Sequence, residues 1–239
     1  MSSTTHTRPA ELHHSHRDVT GGWLRPATFG VMDGLVSNFS LVAGVVGGGA
    51  GRHTVILTGL AGLVAGACSM ASGEYTSVAS QGDLTRAEIR IEQEELLRNS
   101  EEELHELTMT YQAKGLRPEL AAEVARELSA QPDVAWRVHV REELGIDPDD
   151  LPSPFTAASS SFLAFAVGAV IPLLPFILGA GGILPSLVLS AGALLATGGT
   201  IARLTARPMW SGGRRQLLLG GLSAAVTYGV GLLVGTGVS

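Results

Sequence analysis

Five glutamates, Glu88, Glu92, Glu95, Glu103 and Glu106, fall within an arc of roughly 80° when residues 83–115 are wound at 3.6 residues per turn. Like charges three and four residues apart repel and weaken a helix. Such a stripe therefore needs solvent or cations beside it. Carboxylate oxygens suit hard or borderline divalent ions such as Mg²⁺, Mn²⁺ and Fe²⁺. A solvated face of an acidic helix has the same spacing, so spacing alone does not choose. Glu102 and His105 form a Glu-x-x-His pair, the spacing used in di-iron helical bundles. His105 points about 100° away from the stripe, and no partner helix supplies a second pair. A di-iron centre is not expected.

A second set of reactive residues sits in apolar surroundings. "VMDGLVSNFSLVAGVV" keeps Asp33 and Asn38, and "SMASGEYTSVASQ" keeps Met70 and Glu74 four residues apart on one helix face. Ionisable residues within membrane-length apolar runs are rare and by default mark a transport path. A thioether and two carboxylates facing one cavity make a mixed soft and hard ligand set suited to Fe²⁺ or Mn²⁺. Competing readings remain for each: Asp33 as a helix cap, Glu74 just beyond the apolar layer, and Met70 as ordinary packing.

Spanning a bilayer takes about 20 mostly apolar residues. Five stretches qualify, at about 27–50, 54–80, 155–179, 183–206 and 214–238. The composition agrees: 16% charged residues and 31 glycines in 239 residues, against about 25% charged in an average soluble domain. The net charge of −6 comes from acidic residues crowded into 83–150. Arg8, Arg17 and Arg25 precede the first stretch, and Arg203, Arg207, Arg214 and Arg215 flank the connection between the last two. The positive-inside rule puts the N-terminus, the 81–154 insert and the 203–215 loop in the cytoplasm, with the C-terminus outside.

The insert reads as three helices. The first runs unbroken from the second apolar stretch to a stop at Gly115. The second starts at Pro118, and the third ends at Gly145. The expected fold is an all-α membrane protein of five transmembrane helices, with a three-helix cytoplasmic metal-binding domain between the second and third. The expected divisions are a polar, His-rich tail (1–24), helices 1–2 (25–80), the insert (81–150) and helices 3–5 (151–239). Pro172 and Pro175 should bend the third span, and Gly44/Gly48, Gly62/Gly66 and Gly231/Gly235 offer close helix contacts. The single cysteine, Cys68, excludes an internal disulfide and a multi-cysteine zinc site. No nucleophile–base arrangement stands out, and neither an enzyme nor a nucleic-acid partner is expected.

"MDGLVSNFSLVAGV", "SMASGEYTSVASQ", "EQEELLRNSEEELHEL" and "AAVTYGVG" together resemble the vacuolar iron transporter family over nearly the whole chain from about residue 20. The resemblance implies a homodimer of five-helix subunits that exports Fe²⁺, or in some members Mn²⁺, from the cytosol in exchange for protons. It puts the membrane-path ligands on Asp33 and Met70, and metal-domain glutamates on Glu92, Glu95, Glu103, Glu106 and Glu143. Glu74 lies where the family varies. One departure stands out: "WRVHVREELG" has His139 and Val140 where plant-type members carry methionines. An imidazole ligand at His139 or an all-carboxylate site both fit, with Zn²⁺ a further candidate ion. The absence of an apolar leader suits a bacterial inner membrane. A membrane-anchored metal sensor or buffer that transports nothing is the alternative reading.

Overall fold

The computed structural model describes residues 22–180 and 182–237. The His-rich stretch of the tail and Ser239 lie outside the described residues. The described chain is helical: α1 (Leu24–Gly47), α2 (Arg52–Arg98), α3 (Ser100–Ala113), α4 (Pro118–Ser129), α5 (Pro132–His139), α6 (Pro154–Val170), α7 (Leu174–Ile177), α8 (Ile183–Leu204) and α9 (Met209–Gly237). A π-helical turn, Val140–Leu144, extends α5, and a 3₁₀ turn, Ile171–Leu173, joins α6 to α7. Five segments are long and apolar enough to cross a membrane: α1, α2, α6 through α7, α8 and α9.

Missing side chains bring these helices together. A Cβ at Gly34 would lie 2.2 Å from the Phe165 carbonyl oxygen, and one at Gly168 would lie 2.3 Å from that of Val31. Here α1 and α6 touch backbone to backbone. The pairs Gly44/Gly48 and Gly231/Gly235 meet each other, since a Cβ at Gly231 would fall 2.0 Å from the Gly44 carbonyl. In hydrocarbon, where apolar burial gives helices no preference for each other, such close approach favours association by dispersion. Polar groups close the same seams. Asn38 Nδ2 donates to the Ala169 carbonyl at 2.6 Å, Ser40 Oγ donates to Ser223 Oγ at 2.8 Å, and Thr227 Oγ1 donates to the Ser40 carbonyl at 2.7 Å.

Pro172 and Pro175 do interrupt the third span, which tightens to 3₁₀ geometry at Ile171–Leu173. Proline lacks an amide donor, so carbonyls are freed around such a break. Ser186 Oγ donates to the Pro172 carbonyl at 2.7 Å, and Arg52 Nε and Nη2 donate to the carbonyls of Phe176 and Ile177 at 2.6 and 3.1 Å.

Two boundaries differ from expectation. The fifth span begins at Met209 rather than near 214, so Arg214 and Arg215 stand on its early turns and not in a loop. Ala206, at φ 55°, reverses the chain after α8, and Pro208 directly precedes the new helix. The second difference is a break at Asn99, whose φ of −126° ends α2 and starts α3. The signal was present: Asn99 and Ser100 precede Glu101, Glu102 and Glu103, and carboxylates favour a helix N-terminus. At 1.5 Å per residue the 47 residues of α2 extend about 70 Å, more than twice the ~30 Å hydrocarbon thickness. Its distal part therefore stands clear of the apolar layer, where α3 and α5 pack beside it and α4 packs on both of them.

Candidate metal centre

The distal part of α2 supplies Glu92, α3 supplies Glu103, and α5 with its π turn supplies His139 and Glu143. One ligand atom from each of these four residues lies within 4.8 Å of all the others. His139 is fully enclosed, and Glu92 and Glu103 are buried, whereas Glu143 lies toward the surface. His139 Nδ1 is 3.1 Å from Glu143 Oε1, 3.2 Å from Glu92 Oε1 and 3.5 Å from Glu103 Oε2. One ring nitrogen offers at most one proton, so it cannot satisfy three carboxylates. Glu92 Oε1 and His139 Nε2 indeed lack a hydrogen-bond partner among the described residues.

Burial, followed by the carboxylates of Glu143, Glu103, Glu95 and Glu106, pushes the Glu92 carboxyl up to about 7 from an ordinary 4.5. Burial also raises Glu103, with His139 acting against it and Glu143 reinforcing it. Crowded, half-desolvated carboxylates around an imidazole are unfavourable unless protonated or bridged by a cation. Ligand bonds of about 2.1–2.4 Å put opposite ligands about 4.2–4.8 Å apart. No two of the four ligand atoms are further apart than that upper value, so one ion can reach them all, and three oxygens with one nitrogen suit borderline divalent ions.

The local folding has reasons. The glycine at 145 takes φ 66°, ending the π turn in a left-handed conformation that glycine adopts freely. Arg141 Nη2 donates to Asp147 Oδ1 at 2.8 Å, and Arg137 pairs with Asp149, so the linker is tied back onto this turn. Arg141 holds the Asp147 carboxyl below the usual carboxylate range. Glu142, adjacent to Glu143, faces elsewhere, accepting from Tyr111 Oη at 3.5 Å and pairing with Lys114.

The other sequence candidates fall in different places. Glu88, Glu95 and Glu106 are exposed and outside the four-residue group, although the charges of Glu95 and Glu106 reach Glu92. His105 is exposed on α3 with Glu101, Glu102, Glu106 and Met109 around it. Asp33 lines a cleft between α1, α8 and α9. Met70 packs on Ala67, Phe165 and Ala169. Glu74 sits 3.9 Å from Arg25, with its own side chain mostly covered. These three have separate neighbours within one chain. Sequence reasoning named Asn38 as an oddity without assigning it. It is a buried clamp on α6, about 140° around α1 from Asp33.

Comparison with known proteins joins these observations. A model of the VIT family matches residues 24–232. A vacuolar iron transporter of Acanthamoeba castellanii is 39% identical, over 94% of this chain and 84% of its own length. Vacuolar iron transporter 1 of Oryza sativa subsp. japonica is 31% identical over 94% of this chain and 90% of its own. Vacuolar iron transporter homolog 1 of Arabidopsis thaliana is 33% identical over 90% and 84%. With five membrane-length helices and a match across almost its whole length, the chain belongs to the VIT family.

Proposed function

We propose that this protein moves divalent iron, and also Mn²⁺, out of the cytosol in exchange for protons. The observation that carries the reading is the convergence of Glu92, Glu103, His139 and Glu143 at the far end of the helix that also bears Met70 and Glu74. The cluster collects the ion from the cytoplasm and replaces part of its water shell. Glu95 and Glu106, exposed beside it, draw the cation in or complete a second coordination position. Asp33, Met70 and Glu74 then carry the ion through the membrane. Their separation within one chain calls for a second copy to bring a shared path together. The uncovered apolar face of α2, with Leu57, Leu60 and Val64 exposed, is a natural contact for that copy. Protonation of the path carboxylates on the far side releases the ion and gives the exchange. The insert and the arginine-bearing loop face the cytoplasm in this reading, in a bacterial plasma membrane.

One observation favours a second reading. The insert cluster is complete in one chain, whereas Met70 is embedded in apolar contacts and Asp33 has different neighbours from Met70. A membrane-anchored iron buffer would need only the insert. Metal uptake into proteoliposomes with an imposed pH gradient separates the two. Fe²⁺ or Mn²⁺ flux that follows the gradient supports transport. Stoichiometric binding without flux leaves the buffer.

A further inference from the structure

The first turn of α1 and the middle of α2 meet where the insert joins the membrane helices. A Cβ at Gly22 would lie 3.6 Å from Pro152 Cβ, in the linker that returns from the insert. Tyr75 on α2 packs edge-on against Phe155 at the start of α6, with ring centroids 5.1 Å apart. Glu74 adjoins that contact. Glu92 of the metal centre is further along the same helix, about 27 Å away at 1.5 Å per residue. In the transport reading, an ion leaving the metal centre for the membrane passes this collar.

Glu74 is poorly satisfied there. Only 11% of its side chain is exposed, and Oε2 is buried without a hydrogen-bond partner. A carboxylate withdrawn from water needs a donor or a cation. Among the described residues its ion-pair partner is Arg25, at 3.9 Å, which leaves 83% of its own side chain in solvent. That separation is beyond hydrogen-bond length, so the contact is Coulombic and loose. Arg25 also lines the cleft that holds Asp33. One guanidinium therefore borders both membrane carboxylates assigned to the path.

We propose that Arg25 is a resident competitor for Glu74, which keeps monovalent cations from the entrance of the path and yields to a divalent ion. The inference rests on the reading of Glu74 as a path ligand. A guanidinium can close on a carboxylate with hydrogen-bond donors as well as one charge. A free monovalent ion has the same charge and no donors, so it gains nothing by replacing Arg25. A divalent ion doubles the attraction at equal distance and binds the oxygen directly. Arg25, already mostly in solvent, turns away at little cost, because a loose and largely exposed pair shifts an equilibrium by no more than about fivefold.

The test is Mn²⁺ calorimetry on the full-length protein in detergent, with the insert cluster disabled by Glu92→Gln and Glu103→Gln. Binding that remains reports the membrane ligands. Glu74→Gln should weaken it. With N-methylglucamine chloride as the salt, Arg25→Gln should tighten it by up to about fivefold. KCl at the same ionic strength should take that gain back in Arg25→Gln and leave the protein with Arg25 unchanged. Arg25→Lys should restore the insensitivity to K⁺, which a purely structural role of Arg25 would not explain. Arg207→Gln, which removes an exposed arginine elsewhere, should change nothing. Four results would each overturn the proposal: no remaining Mn²⁺ binding, binding untouched by Glu74→Gln, weaker binding in Arg25→Gln, or the same gain in Arg207→Gln. Flux by the wild type in proteoliposomes tests transport by itself. Binding with the expected Arg25 dependence but no flux would remove transport and leave Arg25 guarding a binding site.

Discussion

Replacing Glu92 with glutamine should stabilise the metal-free insert and weaken its hold on metal. Glu92 carries the strongest conflict in the cluster, with its carboxyl raised from 4.5 to about 7 by burial and by four neighbouring glutamates. A raised carboxyl means that the folded state holds the proton more tightly than the unfolded chain. Stability from this group is fully present below about pH 4.5 and is lost as pH climbs through about 7. The whole rise corresponds to at most about 3 kcal/mol, and solvent near the site reduces this to about 1–2 kcal/mol. Glutamine keeps the shape and removes the charge. The assay is thermal unfolding followed by Trp136 fluorescence, in a Trp23→Phe, Trp210→Phe background. Without metal, the wild type should lose stability between pH 5 and 8, and Glu92→Gln should lose about 1–2 kcal/mol less. With Mn²⁺ at a hundred times the wild-type dissociation constant, the wild type should gain about 2.7 kcal/mol. If the lost ligand costs a hundredfold in affinity, the variant gains only about 0.4 kcal/mol at the same concentration. Metal-free wild type and variant with the same pH slope would refute the electrostatic account. Equal stabilisation of both by Mn²⁺ would remove Glu92 from the ligand set.

Other outcomes are as specific. His139→Ala should lower Mn²⁺ affinity at least tenfold by calorimetry and destabilise the insert by about 2 kcal/mol or more, because it empties an enclosed site beside three carboxylates. Asp33→Asn should fold normally and bind metal at the insert, while transport in proteoliposomes falls to background. Transport at the wild-type rate would take Asp33 out of the path. Gly34→Ala should destabilise the bundle by about 1–3 kcal/mol on detergent or thermal challenge, since its Cβ would meet the Phe165 backbone oxygen at 2.2 Å. Cysteine labelling in a Cys68→Ser background should place Glu101 and Arg207 on one side and Gly179 on the other. Labelling of all three from one side would break the five-span topology.

The five apolar spans were legible in the sequence because a bilayer sets a minimum length and excludes charge, and both limits act on consecutive residues. The long second helix was legible for the same kind of reason, since helical periodicity runs from Arg52 to Arg98 without a breaker. The turn at Asn99 was written in the chain but outweighed by that periodicity. The glutamate stripe was legible only as a stripe. On a helical wheel Glu92, Glu95, Glu103 and Glu106 are equivalent, and nothing local tells which pair turns inward. Tertiary structure made that choice: the break at Asn99 lays α3 against the other insert helices, burying Glu92 and Glu103 and leaving Glu95 and Glu106 outside. It also brought His139, at the end of α5 and 47 residues from Glu92, into the same group, and Glu143 with it from the π turn that follows. Asp33, Met70 and Glu74 show the reverse. Their residue types mark them as unusual in an apolar layer, but which surface of its helix each occupies depends on partner helices. The packing of α1 on α6 through Gly34 and Gly168 left Asp33 toward α8 and α9 and Met70 against Phe165. Spacing along a chain states which groups share a helix face, and only the contacts between faces decide which of them meet.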